Sequence, residues 1–167
     1  MSPSGEAAPA ARDVVVGFET YARSGAALVF AADLAGRLRV RLRVVHVVDS
    51  ADYPGDPDLA GSDLETRHVR DALAGHRADV ERALADFAGE WSYAEETGDA
   101  LHRITAIAHE CDALMIVVGG PATGPGSLLH RWSERSVARA LAGHAERPVL
   151  VVPGHPPPAD VDDAHSP

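Results

Sequence analysis

The chain has 167 residues, of which 46% are apolar and 5% aromatic, and its formal net charge is −10. Every basic residue is an arginine, which excludes a phosphate-binding lysine and a Schiff-base lysine. The acidic balance disfavours nucleic acid and anionic membranes as partners, and no apolar stretch is long enough to span a bilayer.

The composition predicts one folded domain between two disordered tails. Residues 1–11 are rich in Ser, Pro and Ala, and residues 154–167 combine Pro with acidic residues. The length of the part between them, 12–153, suits a single domain. Its one cysteine, Cys111, cannot form an internal disulfide, and the amino terminus does not resemble a secretory signal, so we expect a cytoplasmic protein.

The first half of the domain alternates apolar runs with segments of helical period. The predicted elements are a buried strand at 14–18, a helix at 23–38, a strand at 40–49 and a long amphipathic helix at 62–88. Between the second strand and the second helix lies 50–61, a loop dense in Pro, Gly and Asp.

The second half begins with residues 90–97, where Trp91 and Tyr93 alternate with polar residues. This alternation predicts a strand at the edge of the sheet. Asp99 is predicted to cap the following helix. Cys111 lies on the apolar stripe of that helix, so we interpret it as a buried, inert thiol rather than a metal ligand.

The most apolar run, 113–120, is predicted to be a central strand. A helix over 133–143 is predicted to begin at Ser133 and to end at Gly143, and the final strand follows at 148–153. This alternation of strands and helices predicts an α/β fold, an open parallel sheet with helices on both faces. Ligands of such sheets bind outside the carboxyl ends of the strands.

Five segments of the sequence carry a resemblance to a known protein family. In chain order they are VVVGF, AALVFAADLA, VVHVVD, DALMIVVGG and SVARALAGHAERPVLVVP. On these segments the sequence resembles the universal stress protein family over about 12–153. The resemblance implies a single doubly wound, Rossmann-like domain with a five-stranded parallel sheet of order 3-2-1-4-5. It also implies a non-catalytic stress-response protein.

ATP-binding members of that family carry an Asp after strand 1 and a motif G-x2-G-x9-G-[ST]. Its glycines let phosphate oxygens reach backbone amides at the start of a helix. Here Glu19 takes the place of the Asp. Three residues, one too many, separate Gly120 from Gly124, and Arg135 takes the place of the glycine before Ser136.

The resemblance implies a set of nucleotide-contacting positions. They are Glu19 and the backbone of Val47 for adenosine, and Gly120, Gly124, Gly126, Arg135 and Ser136 for the phosphates, with Val137 next to them. The side chain of Arg135 obstructs close approach of phosphate to the backbone, although arginine is itself a strong phosphate ligand. We therefore predict a degenerate site that binds ATP weakly or not at all, with true binding of ATP and Mg²⁺ as the alternative.

A second alternative is a slow Mg²⁺-dependent nucleotide hydrolase, for which the loop offers only Asp52, Asp56 and Asp58. No catalytic residue and no metal site is assigned. Among the histidines, His46 lies in strand 2 near the place of the nucleotide base, and His76 is interpreted as a packed core residue.

The last strand is wholly apolar and would lie at a sheet edge, where an unpaired strand invites aggregation. The resemblance implies that two copies pair their last strands across a two-fold axis. We therefore expect a homodimer through Pro148, Val149, Leu150, Val151 and Val152.

Overall fold

The computed structural model describes residues 12–48, 63–122 and 137–154. A number of the predictions fall outside this part of the chain. They concern the predicted tails 1–11 and 154–167, of which the structure describes only Gly154, the acidic loop 50–61, the start of a helix at Ser133, and the positions Gly124, Gly126, Arg135 and Ser136. Gly154 belongs to the final strand rather than to a tail.

Strands and helices alternate along the described chain. They are β1 (Asp13–Phe18), α1 (Tyr21–Leu38), β2 (Arg41–Val48), α2 (Asp63–Ala83), β3 (Trp91–Thr97), α3 (Ala100–Glu110), β4 (Met115–Ala122), α4 (Val137–His144) and β5 (Val149–Gly154). The described strands pair in parallel in one sheet of order β3-β2-β1-β4-β5. The predicted α/β fold and strand order are confirmed, and β3 is an edge strand as the alternation at Trp91 and Tyr93 predicts.

Helices pack on both faces of the sheet. On one face, Leu28 of α1 and Val80 of α2 pack against the strands, together with Leu84. On the other face, Ile104 of α3 and Leu141 of α4 do the same. Full burial of such side chains stabilises a fold by about 1.5 to 3 kcal/mol each, so these two layers supply most of its stability. No helix in the described ranges combines the length and apolarity needed to cross a membrane.

Two helix ends differ from the predictions. The long helix α2 ends at Ala83 rather than near residue 88. A turn follows it, and the ring of Phe87 fills the space that a side chain at Gly89 would occupy, 2.4 Å from its ideal Cβ position. The last helix continues through Gly143 to His144, so the assignment of Gly143 as its terminator is wrong. A glycine ends a helix by adopting a left-handed backbone, and Gly143 instead remains helical.

The predicted cap of α3 is confirmed. A carboxylate oxygen of Asp99 accepts a hydrogen bond of 2.8 Å from the backbone amide of His102. This bond satisfies one of the amides that the first turn of a helix leaves without an intrahelical partner.

Candidate functional site

The strand order reverses at β1, which lies between β2 and β4. The chain passes from β1 to β2 on one side of β1, and from β4 to β5 on the other side. The connections that follow β1 and β4 therefore diverge, and a crevice opens between them beyond the carboxyl ends of these strands. Phe18 ends β1 there, and Gly119 and Gly120 lie near the end of β4. This edge of the sheet is the candidate site.

Glu19 lies at this edge, directly after β1, as the sequence predicts. Its carboxylate accepts a hydrogen bond of 2.6 Å from Arg23 in the first turn of α1, and its side chain is 52% exposed. Its backbone amide donates to the Oγ of the buried Ser24 at 3.0 Å. The carboxylate that the resemblance predicts to contact adenosine is therefore paired with a neighbouring cation.

Val47 lies one residue beyond the last position at which β2 pairs with β1, the pair Phe18 and His46. The carbonyl of the next residue, Val48, accepts from the amide of Gly98 on the β3 side, at 3.1 Å. Consecutive residues of a strand direct their backbone polar groups to opposite neighbours, so those of Val47 face the β1 side. The structure thus brings Glu19 and the backbone of Val47 to the same crevice.

Packing within the protein accounts for the first two glycines of the glycine-rich segment. A Cβ atom on Gly119 would lie 2.6 Å from the backbone oxygen of Arg23. A Cβ atom on Gly120 would lie 2.8 Å from Cγ1 of Val151. These two glycines let α1 and β5 approach β4, and no ligand is needed to explain them.

Val137, the remaining predicted site residue in the described chain, is the first residue of α4. Its half-buried side chain packs against the apolar cluster under α3 and α4. The structure therefore places Glu19, Val47 and Gly120 at one edge of the sheet and Val137 at the start of the helix that follows β4.

Two histidines meet beside this crevice, a contact that the sequence does not predict. Nδ1 of the buried His46 lies 2.9 Å from the carbonyl oxygen of Phe18. Because a carbonyl oxygen only accepts, this nitrogen carries the proton, which leaves Nε2 of His46 as an acceptor. Nδ1 of His76 on α2 lies 3.3 Å from that Nε2, so His76 donates to His46.

The environment of His76 favours its neutral form. Burial is the main cause that lowers the pKa of His76 below its usual value of about 6.5, and a positive charge on His46 lowers it further. Asp79, Glu95 and Glu19 act in the opposite direction. His46 lies in a buried strand and His76 on the inner stripe of a helix, but neither pattern shows that the rings touch.

The opposite end of the strands, the amino edge of the sheet, carries a cluster of ion pairs with a structural role. Asp13 at the start of β1 is 1% exposed, and its two carboxylate oxygens accept from Arg41 at 3.0 Å and from Arg43 at 3.1 Å. Both cations lie on the adjacent strand β2, so the cluster ties two strands together. Cys111 lies near this edge and is half-buried, less buried than the sequence predicts. Its partial burial raises the pKa of the thiol, which agrees with an inert cysteine.

Two grooves formed by described residues lie away from the crevice. One, of about 360 Å³, runs between α3 and α4 and is lined by residues that include His102, His109 and His144. His109 lies 3.8 Å from Glu146, and both side chains are exposed. Within the residues that the structure describes, no three or more His, Cys, Asp or Glu side chains are grouped so that they could hold a metal ion.

Comparison with known proteins agrees with this geometry. The sequence matches the universal stress protein family over residues 11–153. A member of that family from Burkholderia pseudomallei, with a solved structure, is 26% identical over 89% of this chain and 100% of its own, with a TM-score of 0.60. No curated protein matches this chain.

Two further solved structures carry ligands. The universal stress protein from Archaeoglobus fulgidus in complex with dAMP is 22% identical, with a TM-score of 0.58, over 84% of this chain and 96% of that one. A universal stress protein in complex with cAMP is 23% identical, with a TM-score of 0.56, over 87% of this chain and 98% of that one. At these identities the likeness shows a shared fold.

The parallel sheet with a crevice at its strand-order reversal defines a doubly wound α/β protein of the kind that binds ligands at the carboxyl edge. The family match covers nearly the whole described chain. The chain belongs to the universal stress protein family.

Proposed function

We propose that this chain is a non-catalytic regulatory protein of the cytoplasm whose nucleotide crevice is degenerate and binds ATP weakly or not at all. Structures of similar fold with dAMP and cAMP support an inherited adenine nucleotide site. The observation that carries the proposal is Arg135, which stands where ATP-binding members have the glycine before Ser136.

The ion pair between Glu19 and Arg23 supports the proposal but contributes less. An exposed pair of this kind stabilises by about 0.2 to 1 kcal/mol, so its rupture would weaken nucleotide binding by no more than about fivefold. A side chain that keeps phosphate from backbone amides removes several charge-assisted hydrogen bonds, each of about 1.5 to 3 kcal/mol. The larger loss is therefore assigned to Arg135.

Calorimetric titration with ATP and Mg²⁺ tests this assignment. Arg135→Gly is expected to bind ATP at least about a hundredfold more tightly than the parent protein, as two recovered hydrogen bonds would require. Arg131→Gly is the matched control, because it removes an arginine four residues away without changing the position before Ser136. Equal affinity of the parent and Arg135→Gly would refute the proposal.

True ATP binding is the second candidate, supported by the nucleotide complexes of similar structures. In that case the guanidinium of Arg135 contacts the phosphates, and Arg135→Gly weakens binding instead of strengthening it. The sign of the change separates the two candidates. Slow hydrolysis would appear as Mg²⁺-dependent phosphate release, which we do not expect.

We also propose that two copies associate through β5. Its residues Val149 to Val152 are only half-buried although all are apolar, and in the described sheet β5 pairs with β4. The carbonyl of Pro148 faces β4, where it accepts from Ile116 at 2.9 Å. By alternation, the amides of Val149 and Val151 face outwards and are available to a second strand.

Light scattering after size exclusion tests the dimer. Val151→Pro removes an outward-facing donor and is tolerated on an edge strand, so we expect a monomer at concentrations where the parent is a dimer. Val151→Thr keeps the amide and the shape of the side chain, and it should remain dimeric. A monomeric parent at micromolar concentration would contradict this proposal.

A further inference from the structure

The structure assigns to His46 and His76 the role of a proton-sensitive latch that holds α2 on the carboxyl ends of β1 and β2. The latch joins three elements through two hydrogen bonds. His46 of β2 binds the last carbonyl of β1, that of Phe18, at 2.9 Å, and His76 of α2 binds His46 at 3.3 Å. The latch does not require a nucleotide in the crevice.

Among the side chains of α2 and the following turn that the structure describes, burial decreases towards the crevice. Val80 is fully buried and Leu84, just past the helix end, is 3% exposed, whereas Leu73 and His76, nearer the crevice, are half-buried. α2 runs back from the carboxyl edge of the sheet, so its tightly packed part lies at the opposite edge. Within this described part, a polar contact therefore holds the helix where hydrophobic burial is weaker.

The rings of the latch pack tightly. Their centroids are 4.7 Å apart, and the ring of Phe18 meets each of them edge-on at 6.3 and 6.4 Å. These ring contacts shield part of the bond between the two histidines, and His76 itself is half-buried. In such surroundings a hydrogen bond is strong when a donor faces an acceptor, whereas two facing donors are unfavourable.

Protonation has different effects at its first and second step. One proton on the pair leaves an N–H facing a nitrogen lone pair, which is a good charge-assisted hydrogen bond. A second proton makes both facing nitrogens donors, so the bond breaks and two positive rings repel each other. The latch therefore opens when His76 becomes charged beside a charged His46, the step that the charge of His46 opposes.

Charged groups on the neighbouring elements influence the pH at which the second proton binds. Glu19 from the turn after β1, Asp79 on α2 and Glu95 on β3 favour a positive charge on His76, as the direction of their influence on its pKa shows. Each of the first two already has a cationic partner, Arg23 for Glu19 and Arg82 for Asp79. Burial and the charge of His46 outweigh them and lower the pKa of His76.

The sign of the effect on stability follows from this direction. Because the folded pKa of His76 is below its unfolded value of about 6.5, the unfolded chain binds more protons in the window below that pH. The contribution is fully present above about pH 6.5 and is lost as the pH falls towards the folded pKa.

Amide hydrogen exchange between about pH 7.5 and about pH 5, corrected for intrinsic rates, tests the latch. Acidification is expected to lower protection in residues 71–83 of α2 by at least about fivefold more than in α3. His76→Asn keeps a donor near the place of Nδ1 and cannot titrate, so this difference between the helices should disappear. His102→Asn, on the exposed surface of α3, should retain it.

The pH dependence of the imidazole proton chemical shifts, measured by NMR, gives a second readout. A purely structural role of His76 would not change this pH dependence. His76 is expected to titrate below its usual value of about 6.5, and to move towards that value in His46→Asn, which removes the charge of His46. An ordinary titration of His76 in the parent, or undiminished pH sensitivity of α2 in His76→Asn, would overturn the latch. Neither result would bear on ATP binding, which the calorimetric experiment tests separately.

Discussion

The two edges of the sheet use polar groups in opposite ways. At the amino edge, the buried carboxylate of Asp13 is fully engaged by two arginines of β2. At the carboxyl edge, Glu19 is exposed on a surface ion pair, and two histidines share a hydrogen bond that depends on their protonation. One edge is therefore built for stability, whereas the other keeps groups that a ligand or a proton can engage.

The largest predicted effect comes from a side chain at the carboxyl edge. Gly119→Val would bring a Cβ atom against the backbone oxygen of Arg23, at 2.6 Å before relaxation. Backbone atoms cannot move away as the tip of a side chain can, so we expect a loss of about 3 kcal/mol in the free energy of unfolding. Denaturant unfolding measures it. A loss below about 1 kcal/mol would show that α1 is less tightly seated on β4 than the structure indicates.

Asp13→Asn tests the amino edge. It leaves two arginines without their carboxylate, and we expect a loss of about 2 kcal/mol, less than for a fully buried pair because both arginines are partly exposed. Asp33→Asn, which breaks an exposed pair with Arg37, is the matched control and should cost much less, because solvent screens that pair. Equal losses of unfolding free energy in the two variants would mean that the buried cluster contributes no more to stability than an exposed ion pair does.

Cys111 offers a chemical probe of the amino edge. Burial raises the pKa of its thiol, so less thiolate is present at neutral pH than for a free cysteine. We expect a thiol reagent at neutral pH to label the native protein at least about tenfold more slowly than the unfolded chain. The rate should rise as the pH approaches the raised pKa. Native labelling as fast as that of the unfolded chain would contradict the assignment of an inert thiol.

The smallest predicted effect is a gain. Gly143 lies within α4, and a Cβ atom there meets no other atom within 4 Å. Gly143→Ala should therefore stabilise the protein by about 0.5 to 1 kcal/mol through helix propensity alone. Thermal unfolding measures the gain, and a loss would indicate that the last turn of α4 is not a regular helix in solution.

Local patterns predict much of this fold. Three features are visible within short stretches of the sequence, and the structure agrees with each. They are the run of valines in β1, the alternation in β3 and the capping residue Asp99. The position of Glu19 beside the backbone of Val47 also follows, because the carboxyl ends of parallel strands meet at one edge. These features depend on short-range periodicity and on topology.

The features that the sequence does not predict depend on contacts between distant residues. His46 and His76 are thirty positions apart, and the bond between their rings requires the particular seating of α2. The pairing of Asp13 with arginines of β2 likewise follows from strand register. At Gly143, the helix continues because its neighbours in the chain remain helical, which the residue type alone does not reveal.

Hydrogen exchange with and without ATP and Mg²⁺, on the parent and on Arg135→Gly, tests most directly whether the carboxyl edge is an inherited site closed by one side chain. In Arg135→Gly, ATP is expected to slow exchange at residues 18–20, 46–48 and 119–120 and to leave residues 41–43 at the amino edge unchanged. The parent should show little or no slowing under the same conditions. Equal protection in the two proteins, or protection centred on the amino edge, would contradict a nucleotide site closed by Arg135.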